Sequence, residues 1–320
     1  MTWPGDSTTT AANGTVPAVN NKLDALRDLL RSYGSCLVAY SGGVDSVFLA
    51  FVANEVLGSS ALAVIADSPS LPRRELDEAL ELGRRFGFPV RVVKTGEFEN
   101  ASYTANPSNR CYFCKHELFE ELTPIARAEG FAVIAYGENA SDVGDFRPGA
   151  QAAKEFQVRA PLKECGLSKA DIRELSAQLG LPTADKPQMA CLSSRIPHGE
   201  VVTPDKLRMV EAAENVLRDL GFHDVRVRHH ERSSEFRVPG SELADDRKKL
   251  ETQNSEPGTR SPLARIEVGT AELPRLLEAG LREQVTTALT RIGYTEVRVD
   301  PNGYRRGSLN HPVPELAAKT

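Results

Sequence analysis

The chain has 320 residues, enough for two domains with separate cores. Apolar residues make up 40% and charged residues 26%; no stretch is apolar and long enough to span a bilayer or to act as a secretory h-region. The 39 basic against 44 acidic side chains leave −5, which argues against broad nucleic-acid binding, and five cysteines without an export signal fit a reducing cytoplasm.

Residues 1–20 are small and polar and read as a disordered tail. A helix follows, with Leu23, Leu26, Leu29 and Leu30 on one face and Gly34 near its end. The apolar run 36–40 reads as a strand, a second helix continues through Val56, and 61–67 reads as a buried strand. An amphipathic helix is expected over 72–86, a strand over 89–94, a helix over 111–129 and a strand over 131–136. Strand–helix alternation of this kind predicts an α/β fold, a doubly wound parallel sheet with its ligand site at the carboxyl ends of the strands. Ser168–Gly180 carries the N-cap serine and terminal glycine of a further helix. The pattern shifts near 196–199. Thr203-Pro204 opens a helix ending at Gly221, and Val225–Arg228 alternates as a half-exposed strand with both arginines on one face. Residues 231–262 read as an exposed polar insertion, 264–268 and 295–300 as strands, and 271–292 as a helix. The expected division is a nucleotide-binding domain over 21–198 and a smaller α/β domain over 199–320.

Ser41-Gly42-Gly43-Val44-Asp45-Ser46 sits between the first strand and the second helix. The glycines permit a sharp turn close to a ligand, and the free N–H groups at the helix start attract an anion. Ser41 and Ser46 offer hydroxyls, and Asp45 could hold a Mg²⁺ ion bridging phosphates. The lysine of an ordinary P-loop is missing, and the SGG-x-DS turn instead resembles the PP-loop of N-type ATP pyrophosphatases. That resemblance implies attack at the α-phosphate of ATP, release of pyrophosphate and a transient adenylate.

Cys111 and Cys114 form a CxxC at a loop-to-helix junction, compatible with a disulfide, zinc, a cluster or a plain core pair. Cys191, in Gln188–Arg195, has hydroxyl and arginine neighbours that suit a reactive thiol better than a core one. Cys36 reads as core, and Cys165 as a loop thiol or a fourth ligand. Three thiolates are too few for a closed four-cysteine site and would leave one iron of a [4Fe–4S] cluster open to a ligand such as sulfide. Arg226 and Arg228 suit phosphate or carboxylate recognition, with Glu267 facing the same site and Arg195 near Cys191 to neutralise or position an adenylate. His229 and His230 read as exposed loop residues. Glu138 and Asp142 fall at the ligand edge of the sheet, near Mg²⁺ or substrate, and Asp67 and Ser68 beside the adenosine.

The ordered set SGGVDS, ACLSSR, VRVR, ARIEV and GYRRGSLN resembles the LarE family of sulfur transferases, over most of residues 21–310. The resemblance implies that ATP adenylates the carboxylates of pyridinium-3,5-biscarboxylic acid mononucleotide and that sulfur displaces AMP, giving the thiocarboxylates of the nickel-pincer cofactor. It also implies either a [4Fe–4S] cluster on Cys111, Cys114 and Cys191 that carries a sulfide, or sacrifice of the Cys191 sulfur itself. A homo-oligomer acting on a small molecule, in the cytoplasm and without a membrane or nucleic-acid partner, is expected. A tRNA thiolase, an ammonia-using synthetase and a redox-responsive nucleotide-binding protein are the alternatives. The 231–262 insertion departs from the family pattern.

Overall fold

The computed structural model describes residues 16–142, 148–187, 190–232 and 261–305. They divide into two compact units, one within Met1–Tyr103 and Ser108–Met189, the other within Thr104–Pro107 and Ala190–Thr320.

In the first unit the chain runs α1 (Val16–Tyr33), β1 (Cys36–Tyr40), α2 (Val44–Leu57), β2 (Ala61–Asp67), α3 (Arg73–Phe86) and β3 (Val90–Lys94). After a single turn, α4 (Ala101–Thr104), come α5 (Arg110–Glu129), β4 (Val133–Tyr136), α6 (Pro148–Glu155), the short α7 (Pro161–Glu164) and α8 (Lys169–Gln178). The four strands are parallel, in the order β3-β2-β1-β4. Alternation along the strands feeds two cores, because successive side chains leave opposite faces. Cys36, Val38, Tyr40, Ala63 and Ile65 pack with α1, α2, α3 and α8; Leu37, Ala39, Leu62 and Val64 pack with α5 and α6. Helices therefore cover both faces, as a doubly wound sheet requires. Ser168 and Asp171 close a capping box at α8, the signal legible in the sequence.

The second unit contains α9 (Pro204–Asp219), β5 (Val225–Arg232), β6 (Ser261–Val268), α10 (Leu273–Leu276), α11 (Ala279–Ile292) and β7 (Glu296–Val299). Its mixed sheet has the order β5-β6-β7, with β5 antiparallel and β7 parallel to β6. Val225, Val227, Ala264, Ile266 and Val268 face Ala213, Leu217, Val285 and Leu289 in one core.

Several expectations need correction. Helix α1 begins at Val16, inside the expected tail, with Val19 already buried; residues 1–15 lie outside the described residues. The helix expected over 271–292 is two, because Glu278 turns extended between α10 and α11. Strand β5 is buried on both faces: Arg226 and Arg228 are buried, as are Val225 and Val227. His229 is a buried strand residue packed near Tyr294, since β5 runs on to Arg232; His230 lies on the same strand. Both ends of the expected insertion are strand, and 233–260 lie outside the described residues.

A candidate nucleotide cavity and a cysteine loop

The strand order reverses at β1: β2 and β3 lie to one side of it and β4 to the other. A switch point of this kind leaves a crevice beyond the carboxyl ends of the diverging strands. A cavity of about 200 Å³ lies there, lined by Ser41, Gly43, Asp45 and Ser46 of the turn, by Tyr136 at the end of β4 with Gly137 and Glu138 after it, and by Lys115 and Phe119 of α5.

The turn is built by close packing. Gly42 has φ +70°, and a Cβ there would lie 2.9 Å from the Cβ of Ala79. Gly137 packs against the first turn of α2, so that a Cβ would meet Ser46 N at 3.0 Å and Asp45 at 3.2 Å. Gly43 is the N-cap of α2 and supplies no side chain to its orphan N–H groups, which remain to attract an anion. The serines, read in the sequence as phosphate donors, instead hold the turn together. Ser46 Oγ accepts from Ser41 N (3.1 Å), donates to Gly43 O (3.1 Å) and lies 3.0 Å from Ser41 Oγ.

Asp45 is half-buried. Its Oδ2 accepts from Lys169 Nζ at 2.6 Å, while its Oδ1 is buried and takes no hydrogen bond. Burial pushes its carboxyl above the usual range, against the pull of Lys169. An orphaned carboxylate oxygen beside an anion site fits a divalent cation. Glu138 is buried, bonded to Lys163 Nζ at 2.8 Å and to the Tyr136 hydroxyl. Burial opposes its charge, yet Lys163 and Tyr136 hold it below the usual range. Asp142 accepts from Asn139 N at 3.1 Å and so closes the loop after β4. At the end of β2, Asp67 pairs with Arg73, which also donates to Ser68 O at 2.9 Å.

The second constellation lies in the other unit. Cys191 precedes one turn of 3-10 helix (Leu192–Arg195), and this loop covers the polar face of β5 and β6. Arg195 is fully buried. Its Nε and Nη2 bond Glu214 at 2.8 and 3.1 Å, and its Nη1 bonds Ala190 O (2.6 Å), Cys191 O (3.0 Å) and Ser194 Oγ (3.0 Å). All three Arg195 nitrogens are thus engaged, by Glu214 and by the loop that carries Cys191. Arg228 does similar work, bonding Ser194 O at 2.9 Å and Glu267 at 3.1 Å. Glu267 is fully buried between Arg228 and Arg265, so it neutralises arginines instead of facing a ligand. Arg226 differs. Burial lowers its pKa, the neighbouring Arg195 lowers it further, and its guanidinium lies 4.9 Å from the centre of the Tyr304 ring.

No disulfide joins the five cysteines, all of which are among the described residues. Burial pushes the Cys36 thiol up to about 12, as suits a core position, and raises that of Cys165 too. Cys111 is exposed and Cys114 half-buried, three apart near the start of α5. They belong to the first unit and Cys191 to the second. Among the described residues no group of three or more His, Cys, Asp and Glu side chains is set to hold a metal.

Comparison with known proteins adds the decisive observation. The chain is 31% identical over 297 residues, 92% of its length and 95% of the relative's, to the pyridinium-3,5-bisthiocarboxylic acid mononucleotide synthase of Lactiplantibacillus plantarum. The chain belongs to the LarE family. An uncharacterised protein from Synechocystis is 40% identical over 91% of the chain and 98% of its own length. A component of the glutamine-hydrolysing GMP synthase from Methanopyrus kandleri is 26% identical over 61% of the chain and 67% of its own, in keeping with the parallel-sheet fold. No family model matches the chain. Among the described residues no helix is long and apolar enough to cross a membrane.

Lys169, Lys186 and Glu214 escaped the sequence reading as site residues, and Tyr304 entered it only as part of GYRRGSLN. Glu214 left a signal: it falls among Leu207, Val210, Ala213 and Leu217 on the buried face of α9, where a carboxylate needs a cationic partner.

Proposed function

We propose that this LarE-family protein is an ATP-dependent sulfur transferase that converts the carboxylates of pyridinium-3,5-biscarboxylic acid mononucleotide to thiocarboxylates. The supporting observation is the glycine turn at the switch-point cavity, in a chain that aligns almost end to end with a synthase of the bisthiocarboxylic nucleotide. In this reading the triphosphate of ATP lies over Ser41–Ser46 at the start of α2, with Asp67 and Ser68 bordering the adenosine. Asp45 Oδ1 would hold a Mg²⁺ ion, which would supply charge neutralisation to the phosphates. Asp142 closes the loop on the same edge. Arg226, buried on β5 with its guanidinium beside the Tyr304 ring, is the anion contact assigned to the substrate.

A substrate carboxylate oxygen attacks the α-phosphorus, the bond to the β-phosphate oxygen breaks, and pyrophosphate leaves. The Cys191 sulfur attacks the resulting acyl adenylate and AMP departs, giving a thioester. Loss of the Cys191 Cα proton with cleavage of Cβ–S then frees the thiocarboxylate and leaves dehydroalanine, a redox-neutral elimination. Cys111, Cys114 and Cys191 are also the thiols that a [4Fe–4S] cluster would use as an alternative sulfide carrier.

The test is incubation of the full chain with ATP, Mg²⁺ and the biscarboxylate nucleotide, followed by mass analysis of nucleotide and protein. Thiocarboxylate with dehydroalanine at position 191 is expected. Thiocarboxylate with Cys191 intact through repeated turnover would move the sulfur to a cluster-bound sulfide, and no thiocarboxylate from ATP-loaded protein would refute the reading.

A further inference from the structure

Lys186 has no part in the chemistry above, yet its side chain is only 10% exposed. Its Nζ bonds Glu75 at 2.7 Å and Glu78 at 2.8 Å, both on α3, and donates to Gly42 O at 3.3 Å. Its own carbonyl accepts from Arg173 Nη2 at 2.7 Å, so backbone and side chain are both clamped. Burial opposes the ammonium charge, but the two glutamates hold the proton on more firmly than usual.

The Gly42–Gly43 peptide is trans, and a trans peptide points its C=O and N–H in opposite directions. The Gly42 carbonyl is turned toward Lys186 and α3, on the side where Gly42 packs against Ala79. The Gly43 N–H therefore points away from α3. Gly43 lines the phosphate cavity and Lys186 does not. A peptide flanked by two glycines meets little steric resistance to rotating as a unit. Such a flip would replace an N–H donor by a carbonyl oxygen facing the phosphates.

We propose that Lys186 is a positioning residue for the phosphate site: by holding the Gly42 carbonyl against α3 it keeps the Gly43 N–H turned toward bound phosphate. This rests on the reading of the Ser41–Ser46 turn as the ATP-phosphate site. It makes the lysine five positions before Cys191 part of the loop's pre-organisation, although it touches no phosphate.

The experiment is calorimetric titration of the full chain with inorganic pyrophosphate and, separately, with adenosine. NMR of labelled glycine follows the Gly42 carbonyl and Gly43 amide. Lys186→Met should weaken pyrophosphate binding about 10- to 100-fold, the worth of one hydrogen bond to a charged group, with adenosine binding unchanged and both glycine signals displaced. Lys186→Arg should restore most of the loss. Should Lys186→Met not fold, the double variant Glu75→Gln/Glu78→Gln loosens the same Nζ and should weaken pyrophosphate several-fold. Equal losses for adenosine and pyrophosphate, or weaker pyrophosphate binding with the peptide signals unmoved, would overturn the proposal. Unchanged pyrophosphate affinity in the folded variant would overturn it as well. If the unmodified protein binds adenosine but no pyrophosphate, the phosphate-site reading itself falls.

Discussion

Replacing Glu214 by Gln should unsettle the loop that carries Cys191. The Glu214 carboxylate is fully buried and accepts from Arg195 Nε (2.8 Å), Arg195 Nη2 (3.1 Å), Arg218 Nη2 (3.1 Å) and Val227 N (3.1 Å). The amide leaves the Arg195 guanidinium without a counter-charge in a dry setting, which costs about 3–5 kcal/mol for a buried pair broken on one side. At a urea slope of about 2 kcal/mol per M, the unfolding midpoint of the second unit falls by about 1.5–2.5 M. Because Arg195 also holds the Ala190 and Cys191 carbonyls, alkylation of Cys191 should accelerate. The pH dependence gives an internal check. Burial opposes the Glu214 charge, but Arg195 holds its pKa below the usual range. Its stabilisation is therefore complete above the ordinary carboxylate range and declines as pH falls through the folded value. The gap between the two proteins should narrow in acid. Urea titrations at neutral and acidic pH measure both effects. A midpoint shift under about 0.5 M, or a gap that stays constant in acid, would refute the reasoning.

Three further outcomes are expected. Asp45→Asn removes the orphaned oxygen assigned to Mg²⁺ and should slow pyrophosphate release by about 10²-fold or more, with adenosine binding retained, as a release assay and calorimetry would record. Alkylation at pH 8 should label exposed Cys111 readily and Cys36 only on unfolding, since a thiol held near 12 is thiolate in about one molecule in 10⁴; peptide mass mapping reads this. Burial, and next Lys206, push His229 down to about 4, whereas in the unfolded chain it titrates near 6.5. Below that higher value the unfolded state binds the extra proton, so stability falls by up to about 1.4 kcal/mol per pH unit between the two values. That slope should vanish in His229→Leu, as urea titrations across pH would reveal.

Periodicity carried most of the fold. Leu23, Leu26 and Leu30, the uninterrupted apolar β1, and the Ser168 cap each act through local rules, and the structure follows them. The alternation of β5 misled because a period of two separates faces without saying what covers each one. Loop 191–195 and Tyr304 bury the arginine side, and those contacts are distant in sequence. The same limit explains Arg195: its neighbours in the chain are a thiol and hydroxyls, but its charge partner, Glu214, lies 19 positions away on α9. The SGGVDS turn was legible because its chemistry is that of the backbone itself. The lysines that steady it, Lys169 and Lys186, reach it from 124 and 144 positions away and belong to no local motif.

The measurement closest to the central claim is an isotope transfer. The biscarboxylate nucleotide, labelled with ¹⁸O in its carboxylates, is incubated with the protein, ATP and Mg²⁺. If a carboxylate is adenylated and then displaced by sulfur, AMP carries one ¹⁸O and the product has exchanged that oxygen for sulfur. Unlabelled AMP, or ADP in its place, would contradict the account.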